Sequence, residues 1–316
     1  MTESRSRIHL AALYVAPLVV AWWGWSMQGA AVLVLLLLAW RWAIALSTFA
    51  APEHVPELEL QAISASHFVE KVRWCMDRAG LAYIERQSGG TLGAFFTGRT
   101  VPSLKVRTGA VRSSIGNSPE ILRFLWGRYA ATHGDQAAFL EPTRERLALE
   151  ERIDRRGVAL QVWVYYHLLN DRQLTLQVWG RNNPNTPFWQ RTLLALLFPL
   201  LRAMIRRSFR INDKHYASAV ASVSTLLDDA EHWLEDGRQS LLGGSETNFT
   251  DVAFAAINGL WLQPAGYGAG KADATRIERD QLPAQMRADV ERWERDYPRS
   301  TAFINRLYDD FREPLL

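Results

Sequence analysis

The 316 residues contain a single cysteine, Cys75. One thiol excludes an intrachain disulfide framework and any Cys-x-x-Cys redox pair, and it suits a reducing compartment. The seven histidines are scattered, with no His-x-x-x-His pair and no Cys/His cluster, so no metal is expected. A strong charge of one sign is missing too: 36 Lys and Arg face 33 Asp and Glu, a formal balance of +3. Without a long basic run the chain lacks a nucleic-acid footprint, and no nucleic-acid partner is expected. Internal repeats and low-complexity tracts are also absent.

Charge is scarcest near the start. Residues 10–49 hold one charged side chain, Arg41. A membrane-spanning helix needs roughly 20 apolar residues, so this stretch can supply two. The only polar break, Ser26-Met27-Gln28-Gly29, falls in its middle, and Trp22, Trp23, Trp25, Trp40 and Trp42 sit near the expected ends, where indoles favour headgroups. We read residues 1–49 as a membrane anchor of one or two helices, a hairpin of 10–25 and 29–47 or one long tilted helix. A cleaved signal peptide has a much shorter apolar core, and no clean small-x-small cleavage site follows. Arg5, Arg7 and Arg41 flank the apolar blocks, which places the soluble part on the cytoplasmic face of an inner or plasma membrane.

After a short linker with two prolines, 50–57, the pattern becomes α/β. Residues 58–64 alternate as a strand does, 67–80 carry Phe68, Val72, Cys75, Met76 and Ala79 at helical spacing, and 81–87 form a second short strand. The helix reads as basic and amphipathic. Residues 100–106 and "VRSSIG" resemble a hairpin, and 117–130 a helix with Ser118 as N-cap and Pro119 at its first position. From about 145 onward the chain is helical, with a stripe of Val220, Val223, Leu226, Leu227, Ala230 and Leu234, and a capping box of Asn248 and Asp251. The apolar stretch around 188–208 contains Pro199 and is bracketed by arginines. It reads as a kinked helix, buried or dipping into a surface, in preference to a third span.

Where the first soluble strand meets its helix stand Ser64, Ser66 and His67. A helix start favours anions and thiolates, but a serine there is equally an N-cap. Ser64 reads as strand-end polar surface, or in reserve as the functional hydroxyl in place of Ser66, and His67 as an exposed first-turn histidine or a ligand contact. Cys75, on the apolar face, reads as a buried small hydrophobe. Tyr165, Tyr166 and His167 read either as a pocket wall or as core.

"SHFVEKVRWCMDRAGLAYIE", "TVPSL", "IGNSPEILRFL" and "LLGGSETNFTDVAFAA" occur in this order and together resemble the glutathione transferase superfamily. "FPLLRAMIRRSFR" is similar to the metaxin and failed-axon-connection branches. The resemblance implies a thioredoxin-like α/β domain over 58–130 and an all-α bundle over 145–312. It implies glutathione as co-substrate, an apolar electrophile as the other partner alongside the lipid bilayer, and a homodimer. It implies that Ser66 donates to the glutathione sulfur and favours the thiolate. A cis Pro102 would turn the Val101 backbone to pair with the cysteinyl part, while Asn117 and Ser118 would take the γ-glutamyl end. Three departures matter: His67 replaces the usual proline, Asn117 an acid that holds the γ-glutamyl ammonium, and Thr100 a lysine for the glycyl carboxylate, with Arg99 beside it as substitute. The expected function is conjugation of glutathione to an apolar electrophile, or reduction of a lipid peroxide. A non-catalytic membrane-tethered adaptor on the same fold is the alternative.

Overall fold

The computed structural model describes residues 27–47, 55–87, 101–109 and 111–312, together with Val15, Leu18, Val19 and Trp22. Most of the expected helix over 10–25, most of the linker over 50–57, and the segment holding Arg99 and Thr100 lie outside the described residues. The chain divides into two compact units, residues 1–56 with 107–113, and residues 57–106 with 114–316.

In the first unit, α1 (Met27–Ser47) runs for 21 residues with Arg41 as its one charge. Val15, Leu18, Val19 and Trp22 are helical as well.

The second unit opens with β1 (Glu57–Ala62), α2 (His67–Arg78) and β2 (Ile84–Gln87). β1 and β2 are parallel, with Glu59 opposite Ile84 and Leu60 opposite Glu85, as a helical crossover requires. Along the chain β3 (Ser103–Thr108), β4 (Val111–Gly116) and α3 (Ser118–His133) follow, residues 107–113 of the two strands and their turn being grouped with the first unit, and the sheet order is β2-β1-β3-β4. Period-two alternation sends Leu58, Leu60 and Ala62 into the core. This is the β-α-β, β-β-α order expected from the sequence pattern.

The remaining described chain is helical: α4 (Asp135–Ala138), α5 (Arg144–Leu168), α6 (Arg172–Val178), α7 (Phe188–Ser208), α8 (Asp213–Trp233), α9 (Phe249–Leu262), α10 (Ala284–Asp296) and α11 (Pro298–Phe311). α9 is buried along almost its whole length and packs on α2, α5 and α11. Its start shows the expected capping box, with Asp251 accepting from the backbone N–H of Asn248 and of Leu241, each at 2.8 Å. α7 runs through Pro199 as one helix, and Leu194, Phe198 and Leu201 join Leu176 and Trp179 in a second, smaller apolar cluster.

The reading of α2 as simply basic and amphipathic needs correction. Glu70, Lys71 and Arg73 are all fully buried, because α2 packs against both α9 and α3 and exposes little of its surface. Each charge is therefore paired, as burial demands. Arg73 reaches Glu70 at 2.6 Å and Glu85 at 2.8 Å. Arg312 reaches Glu70 at 2.8 Å and Asp77 at 2.7 Å. On the other flank Lys71 meets Glu150 at 2.7 Å and Asp154 at 2.8 Å.

Candidate functional site

Ser66 occupies the N-cap position of α2 with extended backbone angles, φ −73° and ψ 123°. Its backbone N–H donates to Ile63 O and its carbonyl accepts from Glu70 N–H, both at 2.9 Å. The side chain makes no cap hydrogen bond. A serine in this position ordinarily satisfies the N2 or N3 amide; here the hydroxyl is left for other work. One residue earlier, Ala65 O accepts from Tyr267 Oη at 3.0 Å, which fixes the turn from the side of the helical bundle.

The neighbours of Ser66 differ from expectation. Ser64 is buried, not polar surface, and its Oγ accepts from Asn183 Nδ2 at 3.0 Å. His67 is only 2% exposed, which overturns the exposed first-turn reading. Its Nε2–H donates to Gly157 O at 3.0 Å, because a carbonyl can only accept. Burial pushes the imidazole down to about 3, with the Gly157 hydrogen bond opposing the shift, so His67 stays neutral near pH 7. Cys75 is fully buried, as expected, and burial pushes its thiol up to about 12.

The Val101–Pro102 peptide bond is cis. Pro102 O accepts from the Asn117 N–H at 3.1 Å, tying the entry of β3 to the start of α3. Asn117, with φ 74°, is the N-cap residue of α3, and Ser118 is the first helical residue. The expectation of Ser118 as N-cap is therefore corrected by one position. Ser118 Oγ is buried and has no hydrogen-bond partner among the described residues.

Ser66, His67 and Val101 line one cavity of ≈ 290 Å³. Its opposite wall comes from the helical bundle: Tyr165, Trp179, Leu201, Met204, Ile205 and Phe209 are among the lining side chains. Tyr165 thus belongs to the pocket. Tyr166 does not, since it stacks on Tyr216 at 4.1 Å, and His167 faces Asp289 at 3.5 Å. Among the described residues no carboxylate lines this cavity; its polar groups include the hydroxyls of Ser66, Tyr165 and Ser208, the Gln161 amide and the His67 imidazole, set in an otherwise aliphatic and aromatic wall.

Asn117 lines a separate recess with Phe68, Glu120, Arg123, Glu151 and Asp154. Ser118 lines neither space. Asp154 takes both of its hydrogen bonds from Lys71 Nζ, at 2.8 and 2.9 Å, yet desolvation still holds its carboxyl above the usual range. The recess therefore supplies carboxylates where Asn117 has none. Sequence spacing gave no sign of this, because Asp154 lies on α5, far along the chain. Among the described residues no group of three His, Cys, Asp or Glu side chains could hold a metal.

Solved structures similar to the chain include glutathione transferases of several classes. A glutathione S-transferase from Methylobacterium radiotolerans JCM 2831, in complex with glutathione sulfonate, is 15% identical, with 82% of this chain and 96% of that chain covered and a TM-score of 0.48. Maleylacetoacetate isomerase from Anaeromyxobacter dehalogenans 2CP-1, with bound dicarboxyethyl glutathione and citrate, is 17% identical over 82% of this chain and 90% of that chain, at 0.42. A theta class glutathione S-transferase from Xanthomonas axonopodis pv. citri, with glutathione bound, is 19% identical over 79% and 97%, at 0.35. These structures give no support to the similarity with metaxin and failed-axon-connection proteins. No family model matches the sequence, and no curated protein does.

Proposed function

We propose that the chain is a membrane-anchored glutathione transferase-like protein that conjugates glutathione to an apolar electrophile or reduces a lipid peroxide. The observation that carries this reading is Ser66: a hydroxyl at a helix start, released from capping, in one cavity with Val101 and an apolar wall. Glutathione lies with its cysteinyl backbone along Val101 and its sulfur at Ser66. The Ser66 hydroxyl donates to the sulfur, and with the helix dipole it favours the thiolate. The thiolate attacks the electrophilic carbon, the S–C bond forms, and the displaced electron pair leaves with the departing group or is protonated by solvent. His67, neutral and held by Gly157, shapes the wall and takes no proton.

The γ-glutamyl ammonium needs a negative partner, and Asp154 and Glu151 lie in the recess that Asn117 lines. Arg99 serves the glycyl carboxylate in this reading. Residues 10–47 anchor the protein, with its soluble part on the cytoplasmic side. The buried Ser118 hydroxyl, away from both spaces, favours a second reading in which the fold is kept as a non-catalytic adaptor.

Calorimetric titration of reduced glutathione into the full chain in detergent micelles, beside its Ser66→Ala variant, separates the two. Micromolar to low-millimolar binding, with the thiol's apparent pKa lowered in the parent alone, supports the enzyme. Absence of binding by folded protein leaves the adaptor.

A further inference from the structure

α7 is apolar on two faces. Leu194, Phe198 and Leu201 turn inward to Leu176 and Trp179. Trp189, Leu196 and Leu200 turn outward at i, i+7 and i+11, and Trp189 and Leu196 are 61% and 71% exposed. Phe188, at the first turn, is 83% exposed. The outward stripe ends on exposed Arg206 and Arg207, with exposed Arg210 just beyond the helix. From Arg172 to Asn212 the sequence contains no Asp or Glu.

A soluble helix normally turns a polar face to water, and a contiguous apolar stripe marks a contact surface. The chemistry of this one selects among occupants. An indole and a phenyl ring at one end, leucines along the stripe and a cluster of guanidinium groups without a carboxylate match the interior, interface and anionic headgroups of a lipid surface. α7 is long and apolar enough to cross a bilayer by length and composition, but Leu194, Phe198 and Leu201 on its inward face are buried in the bundle, which favours a contact in the membrane plane over a span. We infer that the outward face of α7 lies in the plane of an anionic membrane, with Trp189, Leu196 and Leu200 below the headgroups and Arg206, Arg207 and Arg210 among the phosphates.

This contact is additional to the anchor over 10–47 and stands without it. It has a consequence for the cavity beside Ser66. Met204 is 37% exposed and also lines that cavity, so one residue belongs to both surfaces. An apolar molecule dissolved at the bilayer surface meets Met204 on its way to Ser66; that consequence alone rests on the proposed function.

The test reads depth and not activity. The full chain carrying Leu196→Cys is labelled with an environment-sensitive nitrobenzoxadiazole dye and placed in vesicles of phosphatidylcholine with phosphatidylglycerol. Cys75 is fully buried and leaves the label to position 196. The expected result is a blue-shifted emission quenched several-fold more by acyl-chain spin-labelled lipid than the same dye at Asp309→Cys, an exposed site on α11. Replacing Arg206 and Arg207 by Gln, or omitting phosphatidylglycerol, reduces that quenching. Water-like emission at position 196 overturns the inference. So does a blue shift that spin-labelled lipid leaves unquenched and dilution removes, which is a contact between copies of the chain.

Discussion

His67 donates from Nε2 to the carbonyl oxygen of Gly157, ninety residues further on, at 3.0 Å. The bond joins the start of α2 to the middle of α5, beside the residue on which the proposed chemistry depends. It also makes a titratable group part of the packing.

That group sets a pH dependence. Unfolded, the imidazole takes a proton near 6.5; folded, burial delays this to about 3. Between the two values the unfolded state binds more protons, so stability falls as pH drops from 6.5 toward 3 and is complete above 6.5. The slope from this residue is at most about 1.4 kcal/mol per pH unit. Urea midpoints of the parent and of His67→Gln from pH 7 to pH 4, in detergent micelles, check it: the variant has the flatter profile. Parallel profiles would assign the acid sensitivity to other groups.

Gly157 is also a packing glycine. A Cβ there would meet Phe68 Cζ at 2.7 Å and Ile257 Cδ1 at 3.0 Å. Overpacking costs ~1–3 kcal/mol, while replacing a mid-helix glycine by alanine returns ~1 kcal/mol. Gly157→Ala is therefore destabilising by up to about 2 kcal/mol in a thermal melt. It also shifts Phe68 and with it the neighbouring His67, whose rings lie 4.3 Å apart.

Lys71 is fully buried between Glu150 and Asp154. Removing one partner of a buried cluster strands the others, at a cost of ~3–5 kcal/mol. Lys71→Met should lose stability on that scale. Arg155→Ala, which breaks an exposed pair with Glu151, should change it by less than about 0.5 kcal/mol. Equal losses in chemical denaturation would contradict the burial of the cluster.

Asp251 receives three donors, Leu241 N–H, Asn248 N–H and Ser240 Oγ–H, each at 2.8 Å. Orphaning buried donors costs ~1–3 kcal/mol apiece, so Asp251→Ala should lose at least about 3 kcal/mol. Asp251→Asn keeps one acceptor oxygen and should lose less. The order of their melting temperatures is the check.

What the sequence discloses is local. Alternation at Leu58, Leu60 and Ala62, the helical spacing after Phe68, and Asn248 with Asp251 place strand, helix and cap without any partner being known. The motif around Pro102 brings out a cis bond and the resemblance brings out the domain order. What the sequence hides is long-range pairing. Ser64 looks like surface until Asn183 arrives from 119 residues away. Lys71 and Arg73 look like a solvated basic face because Glu150 and Glu85 belong to other elements. Ser66 is legible as a helix start, but only coordinates show that its side chain declines the cap.

Arg312 has an implication for synthesis. Its guanidinium bonds Glu70, 242 residues earlier, and among the described residues Arg73 is the other cation paired with the buried Glu70. A ribosome adding ~5–20 residues per second needs on the order of 12–50 s to cover that interval. Through that time α2 holds a carboxylate whose second guanidinium has not been made. A helix made early in the second unit thus gains its last ion pair only when the far end of the chain has emerged.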